Sequence, residues 1–219
     1  MFRAAIFDMD GTLVDSEEHW RVAEQEVFGS VGVEITHEMA AVTATMTTRQ
    51  VAEHWYSVRP WPEPSLPQME AAVVARVAEQ MREHCRALPG VIDVLDRCAA
   101  LGWRVALASN SPGALCHLVL RQLGIASRFE VVVSADDVEQ GKPDPAIYLL
   151  AARRLGVSPA ECLAFEDSLT GVRAAHAAGM RVVAVPSSPQ DFSQVRPCLT
   201  LGGLHEFGDE HLAGLGHPV

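Results

Sequence analysis

Short apolar runs that stop abruptly at polar residues recur along this chain. The first, Ala4-Ala5-Ile6-Phe7, ends at two acids, Asp8 and Asp10. The runs Arg104-Val105-Ala106-Leu107-Ala108, Glu130-Val131-Val132-Val133, Cys162-Leu163-Ala164-Phe165 and Arg181-Val182-Val183-Ala184-Val185 repeat the pattern. Apolar residues at consecutive rather than alternate positions predict strands buried on both faces, as in parallel sheets. Cys198-Leu199-Thr200-Leu201 is a candidate final strand. Helix punctuation fills the gaps. Pro89-Gly90 opens a helix that Gly102 closes. Ser111-Pro112 opens the next, with a hydroxyl at the N-cap and proline at N1, and Gly124 closes it. Asp144-Pro145 and Gly156 bracket a third helix, and Ser168 and Gly179 a fourth. This alternation predicts an α/β fold of Rossmann-like type. A parallel sheet is covered by helices on both faces, three layers in all, with right-handed crossovers.

Residues 15–88 break the alternation. Glu17 to Gly29 reads as a helix, and so does Gln68 to Leu88, with apolar positions at Val73, Val74, Val77 and Met81. Between them Arg59-Pro60-Trp61-Pro62-Glu63-Pro64 is too rich in proline for regular structure. The expected organisation is a core of residues 1–14 and 89–219, with an all-helical cap of residues 15–88 inserted after the first strand. The stretch from Ser187 is loop-rich, and His211 and His217 are expected in a tail.

Composition narrows the function. A net charge of -11 speaks against nucleic acid, which asks for a basic patch, and against an anionic membrane surface. No apolar stretch reaches the roughly 20 residues of a membrane helix. The N-terminus runs into acids too soon for a signal segment, so a cytoplasmic location is expected. The cysteines Cys85, Cys98, Cys116, Cys162 and Cys198 form no C-x-x-C pair and are read as reduced, buried thiols.

The chemistry sits at the strand ends, where open parallel sheets bind ligands. Asp8 and Asp10 follow the first strand, Ser109 and Asn110 the second, and Glu166 and Asp167 the fourth. Lys142 follows the third strand, in Gly141-Lys142-Pro143-Asp144-Pro145. Clustered carboxylates repel one another unless a cation sits among them, and an oxygen-only donor set suits magnesium. A carboxylate can also attack phosphorus and form an aspartyl-phosphate. Of two acids one residue apart, one can attack while the other moves the proton. Lysine and a hydroxyl would then hold the phosphoryl oxygens.

Four segments fall in the order and rough spacing of the motifs of the haloacid dehalogenase superfamily. They are Asp8-Met9-Asp10-Gly11-Thr12-Leu13-Val14-Asp15-Ser16, Ser109-Asn110, Gly141-Lys142-Pro143 and Glu166-Asp167-Ser168. The whole chain resembles that superfamily, and the helical insertion resembles the small cap of its β-phosphoglucomutase-like branch. The resemblance implies Asp8 as nucleophile and magnesium ligand. It implies Asp10 as general acid/base, with its main-chain carbonyl on the metal, and Asp167 as a further ligand. Glu166 is either a ligand or a support behind one. Ser109, Asn110 and Lys142 take the phosphate.

Within the branch, Asp15-Ser16-Glu17-Glu18-His19-Trp20, His54-Trp55-Tyr56 and Arg59-Pro60-Trp61 resemble bacterial hexitol phosphatases, also described as 2-deoxyglucose-6-phosphate phosphatases. That implies a phosphorylated sugar or polyol of about six carbons as the partner. A monomer is expected, because a capped core can function alone. Arg49 stands where the branch often grips substrate phosphate, and Trp20 and Trp61 are candidate faces for a sugar. The alternatives are a sugar-phosphate mutase and a non-catalytic phosphosugar-binding protein. In the mutase branch a histidine commonly stands where this chain has Trp20.

Overall fold

The computed structural model describes residues 2–43 and 46–215. A parallel sheet of six strands forms its centre, in the order β3-β2-β1-β4-β5-β6. The strands are β1 (Ala4–Phe7), β2 (Arg104–Ala108), β3 (Val131–Val133), β4 (Cys162–Glu166), β5 (Arg181–Ala184) and β6 (Leu199–Thr200). Each expected apolar run is therefore a strand. Alternate residues of each strand face opposite layers. Ala5, Phe7, Val105, Leu107, Leu163 and Phe165 point into one apolar cluster; Ala4, Ile6, Ala106, Ala108, Cys162 and Ala164 point into another. The rings of Phe7 and Phe165 stack at 4.7 Å between centroids. Burying each phenylalanine contributes about 2–3 kcal/mol.

Helices α5 (Val91–Ala100) and α6 (Gly113–Gln122) supply the first cluster, and α7 (Ala146–Leu155) and α8 (Leu169–Ala177) the second. The order places β1 next to both β2 and β4, where the chain reverses its direction of winding. Such a switch point opens a crevice at the carboxyl ends of the strands.

Helix α6 starts later than the Ser111 cap implied. Pro112 is the N-cap residue, and the Ser111 hydroxyl goes elsewhere. Ser168 does cap α8, its Oγ accepting from the Gly171 N–H at 3.1 Å.

The described residues between β1 and α5 form helices and loops, without a strand: α1 (Glu17–Gly29), α2 (His37–Thr43), α3 (Thr48–Val58) and α4 (Leu66–His84). Thr47 and Gln50 cap α3 reciprocally: the Thr47 N–H donates to Gln50 Oε1 at 2.9 Å, and Thr47 Oγ1 accepts from the Gln50 N–H. The chain leaves and re-enters the sheet layer side by side. Val14 bridges Ala87, and the Leu88 N–H donates to Leu13 O at 3.0 Å.

The expected tail holds a helix, α9 (Asp209–Leu215). His211 lies in it and accepts from the Gly208 N–H at 3.1 Å, while Arg97 of α5 pairs with Asp209. His217 lies outside the described residues. All five cysteines are free thiols; Cys98, Cys116 and Cys162 are buried, Cys85 is half-buried, and Cys198 is exposed, against expectation. Among the described residues no helix is long and apolar enough to cross a membrane.

Candidate active site

Parallel register brings three strand ends level. Phe7 of β1 lies beside Leu107 of β2 and beside Phe165 of β4. Asp8, Ser109 and Glu166 therefore emerge along one edge. Main-chain bonds continue past the strands: the Asp8 N–H donates to Phe165 O, and the Ser109 N–H to Val133 O, both at 3.0 Å. Beyond Asp8 the chain must turn at once. Gly11 does so at φ 76°, and a Cβ there would overlap the Asp167 carboxylate. Only glycine meets both demands.

Lys142 is buried in the centre of the edge. Its Nζ donates to Asp8 Oδ1 and to Glu166 Oε1, each at 2.5 Å. Asn110 holds the lysine loop in place: the Lys142 N–H donates to Asn110 Oδ1 at 2.8 Å, and Asn110 Nδ2 donates to Lys142 O at 3.3 Å. Both ends of the Asn110 side-chain amide are thus committed to the loop. Ser109 is buried, its Oγ accepting from the Ser111 N–H at 3.1 Å.

Asp8, Glu166 and Asp167 each place a carboxylate oxygen within 4.8 Å of the others. Burial, with Glu166 and Asp10 nearby, pushes the Asp8 carboxyl above the usual range, although Lys142 opposes the shift. Burial also raises Asp167, helped by Asp8 and Glu166. Burial alone would lower Lys142, but Asp8 and Glu166 outweigh it and hold the ammonium above its ordinary value. The lysine stays charged, yet one ammonium does not neutralise three close carboxylates. An oxygen-only cluster with surplus negative charge fits a hard divalent cation such as magnesium. The Asp10 carboxylate is not part of that cluster.

Glu166 is fully buried and engaged on both oxygens. Oε1 accepts from Lys142 Nζ and from the Tyr148 hydroxyl, the latter at 2.5 Å. Oε2 lies 3.3 Å from Ser168 Oγ. Burial, reinforced by Glu166, raises Tyr148 well above its ordinary value, so it remains a neutral donor.

The Asp10 carboxylate faces a different set of partners. Ser16 Oγ and Trp20 Nε1 donate to its Oδ1 at 2.5 and 2.9 Å, and Ser111 Oγ donates to its Oδ2 at 2.7 Å. Ser111 comes from the end of β2, Ser16 from the foot of α1, and Trp20 from α1 itself.

A model of the haloacid dehalogenase-like hydrolase family matches residues 2–179, which contain this whole constellation. The chain belongs to that family.

Among relatives of this haloacid dehalogenase-like hydrolase, hexitol phosphatase B of Escherichia coli (strain K12) is 39% identical over 214 residues, 96% of each chain. Fructose-1-phosphate phosphatase YqaB of the same organism is 32% identical over 194 residues, 84% of this chain and 96% of that one. The crystal structure of CbbY from Rhodobacter sphaeroides in complex with phosphate superposes with a TM-score of 0.86. It covers 99% of this chain and 100% of that one, at 29% identity.

The helical segment of the hydrolase lies directly against the lysine loop. A Cβ on Gly141 would sit 2.5 Å from Asn110 Oδ1 and 2.9 Å from Thr47 Cγ2. Of the three candidate substrate residues there, the structure brings only Trp20 to the carboxylates. Arg49, two residues beyond Thr47, is an exposed side chain whose Nε lies 3.8 Å from Glu70. Trp61 departs from expectation. Its Nε1 donates to Pro64 O at 2.7 Å, its ring meets Phe28 and Tyr56, and only 5% of it is exposed. The proline-rich loop folds the indole inward, where its apolar area is worth more than at a wet rim, and no face remains for a sugar. His19 is half-buried, its Nδ1 3.0 Å from Gln80 Oε1.

Two site residues escaped the sequence reading. Tyr148 sits on an apolar helix stripe and looks like core. Ser111 looks like a helix cap. Only contact with Glu166 and Asp10 reveals their parts.

Proposed function

We propose that this hydrolase is a magnesium-dependent phosphatase of small phosphomonoesters, a hexose or hexitol phosphate, working through an aspartyl-phosphate on Asp8. The single observation that carries the reading is the arrangement around Asp8. A buried carboxylate lies between a charged lysine and two further acids, with a second carboxylate, Asp10, held separately by three donors.

In this mechanism an Asp8 carboxylate oxygen attacks phosphorus, and the bond from phosphorus to the ester oxygen breaks. Asp10 gives its proton to the departing alcohol. Asp10 then takes a proton from water as that water attacks the same phosphorus, and the bond to Asp8 breaks to release phosphate. Lys142 holds phosphoryl charge beside Asp8, and Ser109 borders the same edge. Asp8 and Asp167 would hold the magnesium, with the Asp10 carbonyl. Glu166, committed to Lys142 and Tyr148, supports the lysine. Bound magnesium supplies charge neutralisation for the phosphoryl oxygens.

Residues 15–88 act as a cap over a core of residues 1–14 and 89–219, and the paired crossings at Val14 and Ala87 are its natural hinge. The names of the two Escherichia coli relatives support a six-carbon phosphate as substrate.

The test is phosphate release with magnesium from sorbitol 6-phosphate, mannitol 1-phosphate, 2-deoxyglucose 6-phosphate and fructose 1-phosphate. At least one is expected to turn over. Conversion of a hexose 1-phosphate to the 6-phosphate without phosphate release would replace hydrolysis by mutase chemistry. A second result is expected without substrate. Magnesium at about 100 times its Kd adds about 2.7 kcal/mol of stability. Thermal melts should therefore rise by about 5–10 °C over a chelated sample. Identical melts would count against the cation site.

A further inference from the structure

The start of α1 is built around Asp10 rather than around its own first turn. Ser16 is the N-cap residue of the helix, yet its hydroxyl makes no capping bond. A serine in that place ordinarily serves the helix's free N–H groups. Here its Oγ lies 2.5 Å from Asp10 Oδ1. The Trp20 main-chain N–H closes the turn on Ser16 O at 3.0 Å, and residues four apart share a helix face. Trp20 Nε1 therefore reaches the same oxygen, at 2.9 Å. The body of the indole packs against the apolar cluster that contains Phe7 and Phe165, which aims its N–H edge.

The two oxygens of Asp10 are thereby unlike. Oδ1 is turned to α1. Oδ2 is turned to the end of β2, where Ser111 Oγ meets it at 2.7 Å and the Ser111 N–H donates to Ser109 Oγ at 3.1 Å. An indole nitrogen can only donate, whereas a hydroxyl can turn and accept. Oδ1, facing the fixed N–H of Trp20, stays an acceptor. Oδ2 faces only the hydroxyl of Ser111, and it lies on the side of the sheet edge that carries Ser109.

We propose that Trp20 is a positioning residue for proton transfer: its N–H fixes the Asp10 carboxylate so that Oδ2, not Oδ1, hands the proton to the departing alcohol. The inference rests on the phosphatase reading above and adds the residue that orients the acid. As an Asp8 oxygen bonds to phosphorus, the bond from phosphorus to the ester oxygen breaks, and that oxygen takes the Oδ2 proton. Asp10 is left anionic, with the Trp20 N–H still on Oδ1. A hydrogen bond to a carboxylate strengthens as the carboxylate gains charge, so this one favours the transition state over the ground state. Trp20 thus acts through Asp10 on the departure of the alcohol, not as a face for the sugar.

The experiment compares wild type, Trp20→Phe and Trp20→His, with magnesium, on two substrates. One is whichever of sorbitol 6-phosphate, mannitol 1-phosphate, 2-deoxyglucose 6-phosphate and fructose 1-phosphate turns over fastest. The other is p-nitrophenyl phosphate, whose nitrophenolate departs without a proton. The phenylalanine variant keeps an aromatic ring but has no N–H. It should lose about 30-fold in kcat/KM on the sugar or polyol phosphate, through kcat with KM nearly unchanged, and at most about 3-fold on p-nitrophenyl phosphate. The histidine ring can place Nε2 where the indole Nε1 stood, so that variant should recover part of the loss. A rise in KM with kcat unchanged would make Trp20 a sugar face, and equal losses on both substrates would make its role structural. Either result, or no loss on the sugar or polyol phosphate, would overturn the Trp20 assignment and leave the phosphatase standing. Wild-type protein that turns over none of the four sugar and polyol phosphates would overturn the phosphatase reading and this inference together.

Discussion

Asp8→Asn is expected to abolish phosphate release while leaving the fold intact. The asparagine has the same size, and the main-chain bond from residue 8 to Phe165 O is untouched. β1 remains paired on both sides, with β2 and β4. What disappears is the anionic oxygen beside Lys142 that attacks phosphorus. Loss of a nucleophile costs at least about 10⁴-fold in kcat. Stability should change little, because the substitution removes an ion pair with Lys142 but also relieves repulsion among Asp8, Glu166 and Asp167. A melting temperature within about 4 °C of wild type, alongside undetectable turnover, is the anticipated pair of readings. Substantial residual turnover would sink the covalent mechanism.

Lys142→Met should behave differently, losing both activity and stability. Lys142 contacts Asp8 and Glu166 at 2.5 Å each, and all three side chains are nearly or wholly buried. Removing one partner of a buried ionic cluster strands the others and typically costs about 3–5 kcal/mol. For a chain of this size that is about 10 °C of melting temperature. The contrast with Asp8→Asn is diagnostic: one variant is inactive and stable, the other inactive and destabilised. An unchanged melt for Lys142→Met would show that the carboxylates do not depend on the lysine, and the reading of a cluster short of cations would fail.

The strand ends were legible because a buried strand has little choice of residue. Its interior must be apolar on both faces, so the first polar residue marks where it leaves the sheet. Asp8, Ser109 and Glu166 were found in this way, and register then placed them side by side. Gly11 was legible as a turn, but its second requirement, the close approach of Asp167, needed the fold. The helical segment was harder. Tryptophan suits either a core or a sugar face, and nothing local separates Trp20 from Trp61. The structure sends one indole to Asp10 and buries the other against Phe28 and Tyr56. Ser111 misled for a related reason. A serine before proline at a helix start is usually a cap, but here the Ser111 hydroxyl donates to Asp10 and α6 begins at Gly113, with Pro112 as its N-cap residue.

By itself the sequence determined the parallel sheet, the acids and lysine at its edge, and the helical break after the first strand. These follow from local pattern: apolar runs, punctuation by proline and glycine, and polar residues at fixed offsets. Only the tertiary structure decided which side chains act on which. It gave Lys142 to Asp8 and Glu166, Asn110 to the lysine loop, and Trp20, Ser16 and Ser111 to Asp10. The physical reason is range. Hydrophobic burial is set by composition over a few residues, whereas hydrogen bonds and charge pairing depend on ångström distances between residues far apart in the chain.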